Sequence, residues 1–86
     1  MKITVQATPN PNALKFILPQ KHFAKPVNIS SPDAAADHPL AAQLLALDGV
    51  YNVFMVQDFV TVNKLPDVPW EPLRDQAQAL IEAHFG

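Results

Sequence analysis

The sequence predicts an α+β fold in which one mostly antiparallel or mixed sheet carries two helices on one face. Four segments have the two-residue period or the β-branched residues of strands, and a fifth is a weaker candidate. Two other segments repeat apolar residues at helical spacing. The chain has 86 residues, so it is expected to form one domain over residues 1–86. The predicted order is β-β-(β)-α-β-β-α.

The first three strands are predicted at residues 2–7, 13–18 and 26–30. Apolar residues alternate along the first two, as in half-buried strands. The connection between them, Thr8 to Asn12, contains two prolines and two asparagines, which favour a rigid turn. The third strand is weak, and Pro26 at its start indicates a position at the edge of the sheet.

The first helix is expected to start at Ser31 and Pro32, and to restart at Asp37-His38-Pro39 after an alanine-rich turn. Its buried stripe would be Leu40, Leu44 and Leu47, and Gly49 would end it in the left-handed conformation.

A hairpin follows this helix. Its strands are predicted at residues 50–56 and 59–64, with a tight turn at Gln57-Asp58. The last helix begins at Trp70 and runs to the C-terminus. Pro72 must lie in its first turn, where a missing N–H leaves no helical hydrogen bond unmade.

Composition excludes several kinds of site. The chain has no cysteine, so a disulfide, a thiolate metal site or a cysteine nucleophile of its own is excluded. The net charge of −2 argues against nucleic acid as a partner. No apolar run is long enough for a membrane span, and no signal peptide is visible, so we expect a cytoplasmic protein without membrane contact. Residues 1–32 hold four lysines and no acid, whereas residues 33–86 hold eight acids, one lysine and one arginine.

The residues that could support catalysis or metal binding do not form a recognisable motif. His22, His38 and His84 are not spaced so as to dictate a metal site, although folding could bring two of them together. Ser30 and Ser31 are better explained by capping, and most acids stand beside turn residues. Two glycines are too few for a phosphate-binding loop. The sequence therefore predicts no catalytic, cofactor-binding or metal-ligating residue.

The aromatic residues suggest a contact surface. Val53 and Met55 alternate with Phe54 and Val56, so one pair must lie on the uncovered side of the sheet. An exposed apolar patch of this kind commonly marks a partner surface.

Residues 8–16, Thr8 to Phe16 (TPNPNALKF), resemble the opening motif of the N-terminal domain of the Nfu/NifU iron–sulfur scaffold family. This motif and the hairpin motif, at the positions that they have in the chain, are together specific to the family. Further similar stretches are Ser30 to Ala35, Pro39 to Ala41, Gly49-Val50, Val53-Phe54, Asp58 to Val62, and Trp70 with Leu73.

The resemblance implies a domain that acts in iron–sulfur cluster assembly or delivery. Larger family members carry a separate C-terminal domain whose Cys-x-x-Cys motif binds the cluster, and no such motif is present here. The implied role is therefore that of a scaffold or interaction domain with indirect involvement in cluster chemistry. Seven residues match the family motifs, and Phe54 joins them as a candidate interaction residue. The motif residues are Asn10, Asn12, Lys15, Phe16, Asp58, Phe59 and Thr61. Whether they serve binding or folding is left open.

Three hypotheses follow. The first is a non-enzymatic interaction domain that meets a cluster-carrying scaffold or a client apoprotein through the open sheet face or an edge strand. The second is a small enzyme or ligand-binding domain with a pocket between sheet and helices. The third is direct metal binding through histidine and carboxylate groups.

Overall fold

The computed structural model describes residues 2–31, 33 and 37–85. This part of the chain contains five strands and two helices in the predicted order, so the α+β class is confirmed. The elements are β1 (Thr4–Ala7), β2 (Ala13–Ile17), β3 (Phe23–Ile29), α1 (Pro39–Leu45), β4 (Val50–Gln57), β5 (Phe59–Lys64) and α2 (Trp70–Phe85).

The strands form one antiparallel sheet in the order β1-β2-β5-β4-β3. Phe16 of β2 lies opposite Val60 of β5, and Val60 lies opposite Met55 of β4. Cross-strand partners point to the same face, so this row identifies the face that the helices cover. The residues between them in sequence point to the other face.

The core lies between that face and the two helices. In α2, Leu73, Ala77 and Ile81 repeat every four residues and form the buried stripe of the helix. The buried apolar side chains that meet in the core are Phe16, Leu18, Ile29, Leu40, Ala41, Leu44, Leu45, Val50, Val53, Met55, Val60, Val62, Leu73, Ala77 and Ile81.

The two outer strands differ in regularity. β3 begins at Phe23, so the predicted start at Pro26 was wrong by three residues, and Pro26 lies inside the strand. The register between β3 and β4 is irregular between Phe23 and Val27. A proline is tolerated there because β3 is an edge strand, as the sequence predicted. β1, at the opposite edge, pairs with β2 without interruption.

α1 begins at Pro39, next to His38, whose side chain makes no capping hydrogen bond. The predicted start at Ser31 and Pro32 depends on residues 32 and 34–36, which lie outside the described residues. Leu40 and Leu44 are buried as predicted, whereas Leu47 lies after the helix and is half-buried.

The expectation that Gly49 ends α1 was wrong, because the helix already ends at Leu45, with Ala46 as its C-cap. The φ of +96° at Gly49 turns the chain into β4 instead. A Cβ at this position would lie only 2.7 Å from Cγ1 of Val68, so glycine is required for space as well as for conformation.

α2 is irregular at its start, because Glu71 has an extended backbone with φ −94° and ψ 126°. The regular helix therefore follows Glu71, and Pro72 lies in its first turn as predicted. Neither helix in the described part of the chain is long and apolar enough to cross a membrane.

Candidate functional site

The sheet face opposite the helices is not covered by any described element, and we call it the open face. Strand alternation and register place on it Lys15 and Ile17 of β2, Asn28 of β3, Asn52, Phe54 and Val56 of β4, and Phe59, Thr61 and Asn63 of β5. The prediction that Phe54 and Val56 lie on a different face from Val53 and Met55 is thus confirmed.

Four apolar side chains form a continuous patch at one end of the open face. Ile17 lies opposite Phe59, and Phe59 lies opposite Val56. The rings of Phe54 and Phe59 are tilted by 50° with centroids 6.2 Å apart. We call this group of Ile17, Phe54, Val56 and Phe59 the aromatic patch. All four are half-buried although no described helix covers them.

Lys15 adds a positive charge to the aromatic patch. Its Nζ lies 4.1 Å from the centroid of the Phe59 ring, within the range of a cation–π contact. It lies opposite Thr61 on the neighbouring strand. The combination of aromatic rings with an ammonium group suits a protein surface that offers apolar side chains beside a carboxylate.

Amide side chains form a hydrogen-bonded row across the other end of the open face. Nδ2 of Asn63 donates to Oδ1 of Asn52 at 2.9 Å. Nδ2 of Asn52 donates to Oδ1 of Asn28 at 2.7 Å and to Oγ of Ser30 at 2.9 Å. We call these four residues the amide row. It joins β5, β4 and the end of β3 by side-chain bonds in addition to the backbone ladder.

The connection between β1 and β2 has the predicted turn chemistry. Oδ1 of Asn10 accepts the backbone N–H of Asn12 at 2.9 Å. The N–H of Asn10 donates to Oγ1 of Thr8 at 3.2 Å, and the N–H of Ala13 donates to the carbonyl of Asn10 at 3.0 Å. Asn10 is therefore used to shape this loop.

The same loop is also held by residues far away in sequence. Nζ of Lys64 donates to Oδ1 of Asn12 at 2.9 Å, and the indole N–H of Trp70 donates to the carbonyl of Pro11 at 3.0 Å. Lys64 is only 5% exposed, and its Nζ lies 5.5 Å from the Trp70 ring. Asn12 is thus the partner of a buried charge.

The remaining motif residues lie elsewhere. Phe16 is fully buried in the core. Asp58 forms the turn between β4 and β5, where its carbonyl accepts the N–H of Leu18 at 2.6 Å and the preceding Gln57 has a positive φ of 54°. The candidate residues therefore divide between the open face (Lys15, Phe54, Phe59, Thr61), the loop (Asn10, Asn12), the hairpin turn (Asp58) and the core (Phe16).

Comparison with known proteins identifies the family. Residues 3–86 match the family model described as the N terminus of the scaffold protein Nfu/NifU. The chain belongs to the Nfu/NifU N-terminal domain family.

Curated relatives of this Nfu/NifU N-terminal domain include iron–sulfur scaffold proteins. The human mitochondrial iron–sulfur cluster scaffold homolog NFU1 is 41% identical over 88 residues, which cover 99% of this chain and 34% of the human protein. NifU-like protein 5 of Arabidopsis thaliana, also mitochondrial, is 41% identical over 87 residues, which cover 94% of this chain and 30% of that protein. The chain thus spans about a third of the length of these relatives.

Two solved structures have the same fold. A NifU-like protein from Saccharomyces cerevisiae, solved by NMR, has a TM-score of 0.82 at 28% identity and covers 99% of this chain and 80% of its own. A Staphylococcus aureus protein solved by X-ray crystallography has a TM-score of 0.81 at 28% identity, with coverages of 94% and 99%.

The residues of this Nfu/NifU N-terminal domain do not fit a cluster of its own. Thiolate is the usual ligand of iron–sulfur clusters, and the sequence has no cysteine. Among the described residues, no three histidine or carboxylate side chains lie together as a metal site would require. These findings are consistent with indirect involvement in cluster chemistry only.

The three histidines have other surroundings in this Nfu/NifU N-terminal domain. The His22 ring stacks on the Phe85 ring with centroids 4.2 Å apart, and the His84 ring meets the same phenylalanine edge-on at 4.8 Å. His38 lies at the start of α1. Among the described residues, His22 and His84 therefore contact Phe85 at the end of α2, and His38 directly precedes α1.

Two open depressions lie away from the open face. One, of about 460 Å³, is lined by Lys21, His22, Phe23, Ala24 and Gln57. The other, of about 330 Å³, lies between β1, β2 and the start of α2, and is lined by Val5, Ala7, Leu14, Trp70 and Arg74. The second depression lies between the sheet and a helix, where the second hypothesis expected a pocket, but it is open and not enclosed.

Sequence reasoning missed the amide row, Lys64 and the second depression of this Nfu/NifU N-terminal domain. Asn52 stands two residues before Phe54, so the strand period could have placed both on one face. Its partners could not be found in this way, because they depend on the register between strands. Lys64 ends an apolar strand, and nothing near it in sequence indicates its bond to Asn12.

Proposed function

We propose that this domain acts as a non-enzymatic scaffold or interaction domain in iron–sulfur cluster assembly or delivery, and that it binds a protein partner through the open face. Family membership supports a role in iron–sulfur cluster assembly, because the family is that of the scaffold protein Nfu/NifU and the human relative is named an iron–sulfur cluster scaffold homolog. The absence of cysteine from these 86 residues supports a role through protein contact, because cluster thiolates would have to come from outside this domain.

The observation that carries this proposal is the pair of Phe54 and Phe59 on a sheet face that no described element covers. Half-buried aromatic side chains lose their remaining contact with water when a partner packs on them, and aromatic residues are enriched at the centres of interfaces. Lys15 beside Phe59 and the amide row provide polar groups around the patch. This pattern of an apolar centre with polar surroundings is typical of protein–protein contacts.

The partner class that we propose is a cluster-carrying scaffold or a client apoprotein, and neither nucleic acid nor a membrane. A partner that presents apolar side chains with a carboxylate to Lys15 would fit the open face. The cytoplasmic location stays a prediction, since the relatives named above are mitochondrial proteins.

The test compares two serine variants of β4 in affinity capture from cell extract, with the retained proteins quantified by mass spectrometry. The unaltered domain is expected to retain iron–sulfur proteins. Phe54→Ser removes the centre of the aromatic patch and should lower their retention about tenfold or more, as expected for a central interface aromatic. Tyr51→Ser removes an aromatic side chain that is 46% exposed at the irregular start of the same strand, and should leave retention unchanged.

Two results would contradict the proposal. One is a set of retained proteins that includes no iron–sulfur protein. The other is an equal loss with Phe54→Ser and Tyr51→Ser, which would show that the open face has no special part in binding. A charge-reversal variant, Lys15→Glu, separates the electrostatic contribution, because it should slow association more than it speeds dissociation.

A further inference from the structure

The two edges of the sheet are unequal, and the difference concerns whether another strand can pair there. β3 contains Pro26, which has no N–H to donate, next to the exposed Lys25, and its register is irregular. Proline, lysine and bulges are the features that prevent an edge strand from pairing with another chain. β1 has none of them over Thr4–Ala7, and it pairs regularly with β2.

β1 also borders the second depression, which we call the edge groove. Val5 and Ala7 point to the side of the sheet on which the helices lie, because their partners Phe16 and Leu14 do. The groove of about 330 Å³ is lined by Val5, Ala7, Leu14, Trp70 and Arg74. Along β1 the helices leave this side of the sheet incompletely covered, so Ala7 stays exposed and Val5 and Leu14 are half-buried.

One wall of the edge groove is fixed in place. The indole N–H of Trp70 donates to the carbonyl of Pro11 at 3.0 Å, and the ring also faces the ammonium of Lys64 at 5.5 Å. Trp70 thus presents to the groove an aromatic surface whose position is fixed by this hydrogen bond. Preorganised apolar walls bind an apolar side chain without a further ordering cost.

The other wall carries an available positive charge. Arg74 is exposed and makes no hydrogen bond or ion pair with any residue that the structure describes, including Glu71 three positions earlier. Its planar guanidinium is suited to bind a carboxylate with two hydrogen bonds. Lys2, which is exposed just before β1, adds a second positive charge near this edge.

We infer that the edge groove binds an extended segment of a partner protein, which adds a strand to β1. Side chains at positions i and i+2 of a strand point to the same face. The segment would therefore place an apolar side chain between Leu14 and Trp70 and an aspartate or glutamate two residues away on Arg74. Because β1 has only four residues, backbone pairing alone would be weak, and the groove supplies the selectivity.

The charge pattern selects a partner protein over a second copy of this chain. A second copy that paired through its own β1 would bring Lys2 and the apolar residues of that strand towards Arg74. Residues 1–32 contain no acid, so such a copy offers no carboxylate from this region. This inference does not depend on the open face or on a role in iron–sulfur chemistry.

The experiment selects binders from a phage-displayed library of random dodecapeptides on the immobilised domain. Enriched sequences are expected to carry an apolar and an acidic residue two positions apart. A soluble synthetic copy should change the emission of Trp70, the only tryptophan of the chain. Arg74→Glu should weaken its binding about tenfold or more, the size of a lost charge-assisted hydrogen bond. Lys25→Glu, the same kind of reversal at the other edge, should leave binding unchanged.

A second control tests strand addition itself. Methylation of alternate backbone amides of the selected peptide removes hydrogen-bond donors and leaves the side chains unchanged, so one of the two methylation patterns should abolish binding. Phe54→Ser should not affect the peptide, which separates this site from the open face. The inference is overturned if no sequence is enriched, if neither methylation pattern weakens binding, if Arg74→Glu binds as tightly as the unaltered domain, if Lys25→Glu weakens binding equally, or if the domain pairs with itself through β1.

Discussion

Lys64 shows how a charged side chain is accommodated in so small a domain. The residue is only 5% exposed, and its ammonium group has Oδ1 of Asn12 at 2.9 Å and the carbonyl of Leu65 at 3.3 Å. The face of the Trp70 ring lies on another side of the ammonium group, with its centroid 5.5 Å from Nζ. Burial of a charge is tolerated when the charge is hydrogen-bonded, so the loop from Thr8 to Asn12 and Lys64 depend on each other.

Asn12→Ala is expected to lower the free energy of unfolding by about 1.5–3 kcal/mol, because it leaves a buried ammonium without its main acceptor. Lys64→Met keeps most of the aliphatic stem and removes the charge, so the same Asn12→Ala change should cost about 1 kcal/mol or less in that background. Urea denaturation of the four proteins in this double-mutant cycle measures the difference. Equal costs in the two backgrounds would show that Asn12 acts only within its own loop.

Residues whose partners are local could be predicted from the sequence, and residues with distant partners could not. Asn10 was expected in a turn and bonds the backbone two residues away. Asn12 was assigned the same role, yet its side chain bonds Lys64, 52 positions later in the chain. Side-chain choices of this kind depend on which strands become neighbours, which a periodic pattern does not contain.

At the scale of elements, the amide row strengthens the attachment of β3. This edge strand has an irregular register with β4, and side-chain bonds from Asn52 to Asn28 and Ser30 hold its far end. Asn63 on the central strand in turn bonds Asn52. Polar side chains on the open face therefore have a structural role in addition to any role in binding.

Asn52→Ala is expected to destabilise the domain by about 1–2 kcal/mol, because it removes three partly exposed hydrogen bonds. The effect should be concentrated in β3, whose amide protons should exchange faster with deuterium while those of β2 keep their protection. Gln6→Ala is the matched control, since this exposed amide side chain makes no hydrogen bond with the described residues. Equal losses in the two variants would show that the row contributes nothing specific.

The sequence pattern was enough to predict which strands and helices exist, whereas their ends depended on packing. The hairpin of β4 and β5 was expected from its β-branched residues and from Gln57-Asp58, and it is present. β3 extends back to Phe23 because Phe23 packs on Phe85 of α2, with ring centroids 5.8 Å apart. That contact joins distant parts of the chain, so the sequence placed the start of β3 at Pro26 instead.

For the whole molecule, Phe16 is the residue that tests whether the family motif serves folding. A domain of this size has a stability of about 4–13 kcal/mol. Phe16 is fully buried and lies opposite Val60 on the central strand. The motif residue next to it, Lys15, lies on the open face, so neighbouring motif positions have separate tasks.

Phe16→Ala is expected to cost about 3–5 kcal/mol, which should lower the midpoint of thermal unfolding by roughly 12–40 °C. Phe16→Leu should keep the fold at a smaller cost, because it fills more of the space. Thermal unfolding followed by circular dichroism provides the comparison. If Phe16→Ala unfolded at the same temperature as the unaltered domain, the assignment of this motif position to the core would be wrong.

The inequality of the two sheet edges sets an upper limit on lateral growth. An endless cross-strand ribbon requires that every unit both accept and offer a pairing edge. Here Pro26 and the irregular register prevent another strand from pairing with β3. A chain of domains that pair through β1 therefore cannot be extended through β3. Two units joined at β1 would already have used both competent edges. This topology thus opposes the edge-to-edge stacking of folded domains into a fibre, in addition to any recognition that β1 provides.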